Sequence, residues 1–585
     1  MMKHQQYLKL SILTAVFAVF SLLSQGVSAQ NYNTRSNINT KDSGERYSSE
    51  RKIHNEDFVA ERVKIKEIKI DAQNPIFKII QSGRVDGVRF KNLNALQQIY
   101  AGNNYQPIFL VSERRAKTTV NEYYEVFLDS WSHGLNPSQY HTKALYKFLS
   151  ADDNQIDEEA IARADLILSD AVIRHGQDLT GSRIIPSKLG YHAPSINKGV
   201  KPQEIIEYVS GIRNAKRAFA EIAPQNTLYL KMQEELVRLF TTPDSDIGRI
   251  SVSGIIKPRT SHSAIPKIRA RMGSRSDNLA QDERFYDEAL ASNIMAFQRA
   301  SGLKADGVIG PATVNAMNLS KKDKIEQLIV NMERTRWQDK EKPDRYILVN
   351  IPSERLWAID NGRTEIEMAV VVGRPKRPTV AFNSKITGVR INPTWTIPPT
   401  IKREDFATKL RKDAAYLDDR GIKLYKGGQR INSSAVNWNT VADGELGGYR
   451  MVQGPSSSNP LGRYRVLMNN PYNIYLHDTP TKTYFARSNR ALSSGCVRME
   501  DAELVTDFIL RGSPNWTQSR KEQILESGKM KEVYAQQSLP VFLQYKTVWM
   551  GDDGQVVYGL DIYDEDSKLF NELEKQGDVY IAHQT

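Results

Sequence analysis

Cysteine is almost missing from this chain: among 585 residues only Cys496 carries a thiol, so no intramolecular disulfide can form. Long apolar runs are equally scarce, and the single one lies within the first thirty residues. Metal-site spacings are lacking too. No His-x-His or His-Glu-x-x-His occurs, which removes support for a zinc amidase. Gly427-Gly428 and Gly447-Gly448 are not followed by Lys-Ser/Thr, so a phosphate cradle is not indicated. Aromatic residues, at 9%, show no interleaved basic platform for nucleic acid. No internal repeat or long low-complexity segment is present.

What is there suggests about four domains at roughly 150 residues each. Lysine and arginine total 80 against 68 acidic residues, a net charge of +12, which favours contact with an anionic polymer. Lys3, His4 and Lys9 precede an apolar stretch from Leu10 to Leu23, and Val27-Ser28-Ala29 supplies small residues at a cleavage position. This predicts a signal peptide over 1–29, cleaved after Ala29, and an exported body. A retained anchor is the alternative, but the stretch falls short of the roughly 20 residues that span a bilayer. Residues 30–75 are polar and poor in large apolar side chains, which predicts a flexible tether.

From 76 to 250 the apolar spacing is helical, with Leu93, Leu96, Ile99 and Tyr100 on one face and Ile161, Ala164, Leu168 and Ala171 on another. His133 and His175 fall in these helices and read as packing residues. A smaller unit follows over 264–320. Its helix Ala289 to Ala300 ends at Ser301-Gly302, Asp306-Gly307 turns the chain, and Pro311 starts another helix. From Arg345 the period becomes two, with a hairpin at Asn361-Gly362. A Lys-, Arg- and Gly-rich insertion over 399–448 interrupts this mainly β region. Val541 to Met550 and Val556 to Tyr563 predict a closing hairpin, followed by a tail to 585.

Chemistry concentrates in Leu476-His477-Asp478-Thr479-Pro480 and Ser493-Ser494-Gly495-Cys496-Val497-Arg498. A strand delivering a His and a Gly-Cys turn exposing a thiol are the parts of an acyl-transfer site. A thiol of pKa near 8.5 is only about 3% ionised at neutral pH, and a neighbouring imidazole would raise that fraction. His477 is the candidate base, and the Asp478 carbonyl is the candidate acceptor for its second nitrogen. Gly495 clears the carbonyl's approach and leaves the Gly495 and Cys496 amides free for an oxyanion. Arg498 would orient the loop or meet a substrate carboxylate. Glu500 and Asp501 read as charges starting the next helix. A papain-like order is disfavoured, since the only later His is His583.

These residues resemble the YkuD-type L,D-transpeptidase catalytic domain, whose pattern is a strand His and then Ser/Thr-x-Gly-Cys-hydrophobic-Arg/Asn. Many members carry a second His where this chain has Ser494. Ala296-Phe297-Gln298, Gly302-Leu303, Asp306-Gly307-Val308-Ile309-Gly310-Pro311 and Thr313 resemble the three-helix peptidoglycan-binding domain. Tyr100, Tyr105-Gln106-Pro107, His133-Gly134-Leu135, Tyr140, Gly181 and Pro186 resemble the scaffold of the large periplasmic branch, as does the Asn392 to Pro398 strand end. The implied fold is a multidomain α+β chain: a mainly β catalytic domain over 340–550 with a capping insertion, a helical scaffold, and the small binding domain. The implied roles are Cys496 as nucleophile and His477 as base, with Trp395, Tyr475 and the insertion walling the groove beside Ser494 and Arg498. The implied activity is 3-3 cross-linking of peptidoglycan through a thioester, with hydrolysis, protein anchoring or a degenerate wall-binding scaffold as alternatives. Stem peptides and glycan chains are the implied partners, wall-synthesis enzymes further candidates, and a Gram-negative-type periplasm the location. No cofactor or nucleic acid is expected, and the oligomeric state stays open.

Overall fold

The computed structural model describes residues 72–190, 199–244, 247–274, 282–338, 342–514, 516–551 and 553–580. The expected signal peptide and nearly all of the expected tether lie outside these residues. Among those described, no helix is long and apolar enough to cross a membrane.

Helices from Pro75–Ser82 to Thr227–Thr241 make up the first region, most of it around one core. Helix Glu158–Leu179 runs through that core. Asp157 caps it by accepting the Ala160 amide at 2.7 Å, and Glu158 and Glu159 put negative charge in its first turn. Three buried acids on this helix fasten the loops around it. Asp165 accepts the amides of Ile108, Phe109 and Leu110, each at 2.8 Å, and the Tyr100 hydroxyl at 2.6 Å. Asp170 takes the Asn92 amide at 2.8 Å and meets His141 at 2.7 Å, and Asp178 takes the Tyr140 hydroxyl at 2.9 Å. These bonds offset the cost of burying the carboxylates.

The small unit is built as expected from Ile265–Arg271, Glu288–Ala300 and Pro311–Met317 around its own core. The Gln298 side chain locks its turn, accepting the Gly307 amide and donating to the Val308 carbonyl, both at 2.9 Å. Helix Lys321–Arg336 follows, where the sequence reading left a gap. A capping box of Ser320 and Asp323 starts it. Its residues from Ile325 onward are almost all buried, against Thr227–Thr241 on one side and Glu565–Lys575 on the other. It is the axle joining the helical and sheet regions.

The sheet region contains nine strands: β1 (Arg345–Asn350), β2 (Arg355–Asp360), β3 (Arg363–Gly373), β4 (Phe382–Ile391), β5 (Tyr464–Met468), β6 (Leu476–His477), β7 (Ala491–Ser493), β8 (Val497–Met499) and β9 (Lys531–Gln544). Their order is β7-β3-β8-β6-β5-β4-β9-β1-β2, and β2 also pairs with β3. With β7 as a side branch, the remaining strands close on themselves, so the short β6 and β8 have neighbours on both edges. Asn361 and Gly362 both adopt positive φ, as a two-residue turn of opposite twist requires. Asp501 caps helix Ala502–Leu510 by accepting the Glu503 and Leu504 amides, so the expected helix start holds.

Three readings are corrected. The insertion is wider than 399–448 and has its own sheet, with Trp395–Thr396, Ile422–Lys426, Gln429–Ile431 and Tyr449–Gln453 around a core including Phe406, Leu410, Leu424 and Trp438. The closing hairpin is smaller than expected, pairing Val548–Met550 with Val556–Tyr558, because Val541 belongs to the long β9. Helix Glu565–Lys575 stands where a tail was expected, since Leu569, Phe570 and Leu573 bury one face against the axle helix.

Candidate active site

The loop Ser494-Gly495-Cys496 joins β7 to β8. Gly495 has φ +110°, which side-chain-bearing residues rarely adopt. The Gly495 carbonyl accepts from Thr379 Oγ1 at 2.8 Å, and that hydroxyl accepts the Gly373 amide at 2.9 Å. Ser493 Oγ donates to the Cys496 carbonyl at 2.6 Å and accepts the Gly495 amide at 3.1 Å. The expectation that both loop amides stand free is therefore corrected: Gly495 N–H is engaged. The Cys496 amide has no hydrogen-bond partner among the described residues.

β6 lies between β5 and β8, with His477 in register with Arg465 on one side and Arg498 on the other. Cys496 precedes β8, so thiol and imidazole come from adjacent strands two register positions apart. His477 is buried, and its Nδ1 lies 2.5 Å from the Asp478 carbonyl, as expected. That carbonyl can only accept, so Nδ1 carries the proton and Nε2 is left as the base. Burial, then the Arg498 charge, pulls the imidazole down to about 4. Burial likewise pushes the Cys496 thiol up, against the Tyr475 amide and the charges of Arg465 and Arg498.

The resting pair is therefore a neutral thiol and a neutral imidazole. Desolvation disfavours both charged forms, so burial works against the ionisation that the imidazole was expected to promote. The half-buried thiol donates to the Asn473 carbonyl at 3.7 Å instead.

The Asp478 carboxylate accepts the Arg463 amide at 2.9 Å and the Lys482 ammonium at 2.8 Å. Gly462 permits this approach, since a Cβ there would sit 2.2 Å from Asp478 Oδ2. Ser494 Oγ accepts from Arg377 Nη1 at 2.9 Å, and Arg377 also binds Glu404 and Asp405 of the insertion, each at 2.8 Å. Arg498 lies over the Tyr484 ring at 5.5 Å, and Arg465 over Tyr475 at 3.9 Å. Trp395 sits at the root of the insertion, 6.2 Å edge-to-face from Phe406.

Arg377, Thr379 and Arg465 escaped the sequence reading, which included Ser493 in the motif but gave it no role. Of these three, Arg465 alone left a signal: it alternates with buried Tyr464 and Val466, on the polar face of a strand just before the His strand. Among the described residues, no group of three or more His, Cys, Asp or Glu could hold a metal ion.

Residues 344–516 match the L,D-transpeptidase catalytic domain, residues 94–236 a scaffold domain, and residues 273–317 a domain described as "Putative peptidoglycan binding domain". A Haemophilus influenzae protein described as "Putative L,D-transpeptidase" is 35% identical over 224 residues, 38% of this chain. The chain spans 45% of that relative's length. An L,D-transpeptidase from Mycobacterium smegmatis aligns at 11% identity and TM-score 0.18, over 34% of this chain and 58% of that one. One from Stackebrandtia nassauensis aligns at 12% identity and TM-score 0.19, over 49% and 97% respectively.

Proposed function

We propose that this chain, which carries an L,D-transpeptidase catalytic domain with a scaffold domain and a peptidoglycan-binding domain, is a cysteine acyltransferase that forms 3-3 cross-links between stem peptides. The observation that carries the reading is His477, held as the Nδ1–H tautomer by the Asp478 carbonyl on the strand paired with the one that Cys496 leads into from its glycine turn. Sγ attacks the carbonyl joining an L-centre to a D-residue, and its proton passes to His477 Nε2. The C–S bond forms, the C–N bond breaks, and His477 returns the proton to the departing amine. The Cys496 amide is the donor available to the oxyanion. A side-chain amine of a second stem peptide then attacks the thioester, giving a new amide and the free thiol.

Water in place of that amine gives an L,D-carboxypeptidase, and a protein lysine gives an anchored protein. The small helical domain would hold the enzyme on glycan chains. The domain content and the N-terminal apolar run support export to the periplasm with cleavage after Ala29, in reach of wall-synthesis enzymes. Incubation with tetrapeptide muropeptides and mass analysis of the products tests the reading: cross-linked dimers are expected, and Cys496→Ala abolishes them. Wild-type yield from that variant would refute the mechanism. A carbapenem mass adduct on Cys496 is expected, whereas a degenerate scaffold would remain unlabelled.

A further inference from the structure

One row of side chains crosses the sheet at the level of the candidate base. Register places Glu532 of β9 opposite Arg390 of β4, Arg390 opposite Arg465 of β5, Arg465 opposite His477, and His477 opposite Arg498 of β8. Paired residues of neighbouring strands project to the same face. Three arginines therefore share this face, and only one forms an ion pair on it: Arg390 bonds Glu532 at 2.9 Å, and Arg465 feels that same carboxylate only at longer range. Arg465 and Arg498 are half-buried, and neither has a carboxylate partner among the described residues.

The Nε of each is also buried and unpartnered. Other arginines bury such a nitrogen, but their guanidinium groups are otherwise engaged. Arg174, Arg269, Arg336 and Arg345 face carboxylates, and Arg271 donates to main-chain carbonyls. Arg465 and Arg498 instead lie over the rings of Tyr475 and Tyr484, and the one side-chain hydrogen bond, between Arg498 and Tyr484, is to a neutral phenol. A ring holds a guanidinium plane in place without neutralising its charge. Leaving two cations half-buried without acids is costly, and it happens here on either side of His477, next to the thiol.

We propose that Arg465 and Arg498 form a carboxylate cradle that binds the free C-terminal carboxylate of the residue the enzyme releases from its donor peptide. The inference rests on the acyl-transfer reading and adds the substrate feature it selects. With the scissile carbonyl at Sγ, the leaving residue's carboxylate lies only two bonds beyond the scissile nitrogen. A cation pair beside the thiol meets it there. The cradle makes the enzyme exo-acting, since an internal peptide bond or an amidated terminus presents no anion.

A purely structural role, or a role in easing thiol ionisation, makes a different prediction. Alkylation of Cys496 in the full-length protein is followed with anionic iodoacetate and neutral iodoacetamide. Any effect on thiol ionisation alters both rates alike and cancels in their ratio. The iodoacetate-to-iodoacetamide ratio is expected to exceed that of a free small-molecule thiol by about tenfold, to fall to the free-thiol ratio in Arg465→Gln, and to stay high in Arg465→Lys. A free-thiol ratio in the wild type, or a ratio unmoved by Arg465→Gln and Arg498→Gln, overturns the cradle.

In the second arm, a tetrapeptide donor with a free carboxylate is compared with its C-terminal amide. A preference of about 10² or more is expected in the wild type, expressed largely in KM and lost in Arg465→Gln. A raised alkylation ratio without any cross-linking keeps the cradle and discards the reaction. Cross-linking with equal use of acid and amide keeps the reaction and discards the cradle.

Discussion

Two of the places where this molecule buries charge are treated in opposite ways. Where the helical region meets the axle helix, Glu333 binds Arg183 at 2.7 Å and Arg336 at 2.8 Å, and it accepts Trp337 Nε1 at 3.1 Å. Those ionic side chains are at most 1% exposed, and the two arginines share one carboxylate. On the sheet face, Arg465 and Arg498 form no ion pair with a carboxylate among the described residues. A charge whose task is to hold domains together is compensated within the fold, and a charge whose task is to meet a substrate is left for the substrate to compensate.

The largest effect should come from breaking the first arrangement. Glu333→Gln strips two buried guanidiniums of their anion and should cost about 3–5 kcal/mol in urea unfolding. Dissection by pH sharpens the contrast next. His477 stays neutral in the fold down to about 4, while an unfolded histidine takes its proton near 6.5. The unfolded state thus binds more protons in that window, so stability should fall as pH drops from 6.5 towards 4. Carbapenem labelling of the folded protein should nevertheless persist until pH nears 4, and an acid limb at 6.5 would show that the imidazole is not held neutral.

Arg377→Ala should have a smaller effect. It unties Ser494 from Glu404 and Asp405, and turnover should fall about tenfold, read as kcat against KM, with the fold retained. Smallest of all, Arg465→Gln should shift the unfolding midpoint by no more than about 1 kcal/mol of stability, because no internal partner loses its bond. A loss as large as that of Glu333→Gln would erase the distinction between the two regions.

Local signals were readable in the sequence. The His strand, the Gly-Cys turn, the Asn361-Gly362 hairpin and the Pro311 helix start each depend on a few neighbouring residues, and each stands where expected. Readings that needed distant partners failed. The first half of β9 is mostly exposed and shows no alternation, so its pairing with β4 is set by the partner strand rather than by its own pattern. Arg377 reaches Ser494 across 117 residues, and Arg390 reaches Glu532 across 142. The upward push of burial on the thiol was not legible either, because burial is a property of the assembled sheet and not of the Gly-Cys motif.

The helical region is clasped by residues from the far side of the chain. Asn136 donates to the Gly577 carbonyl at 2.7 Å across 441 positions, Arg174 meets Asp578 at 2.7 Å, and Tyr580 lies 6.1 Å from Phe240. At roughly 5–20 residues per second, a ribosome needs on the order of 20–90 s to supply the clasp after its docking surface has been made. During that interval the nascent helical bundle shows an open seam to chaperones and proteases, so cutting back the last few clasping residues should leave a protein that is translated normally but matures poorly.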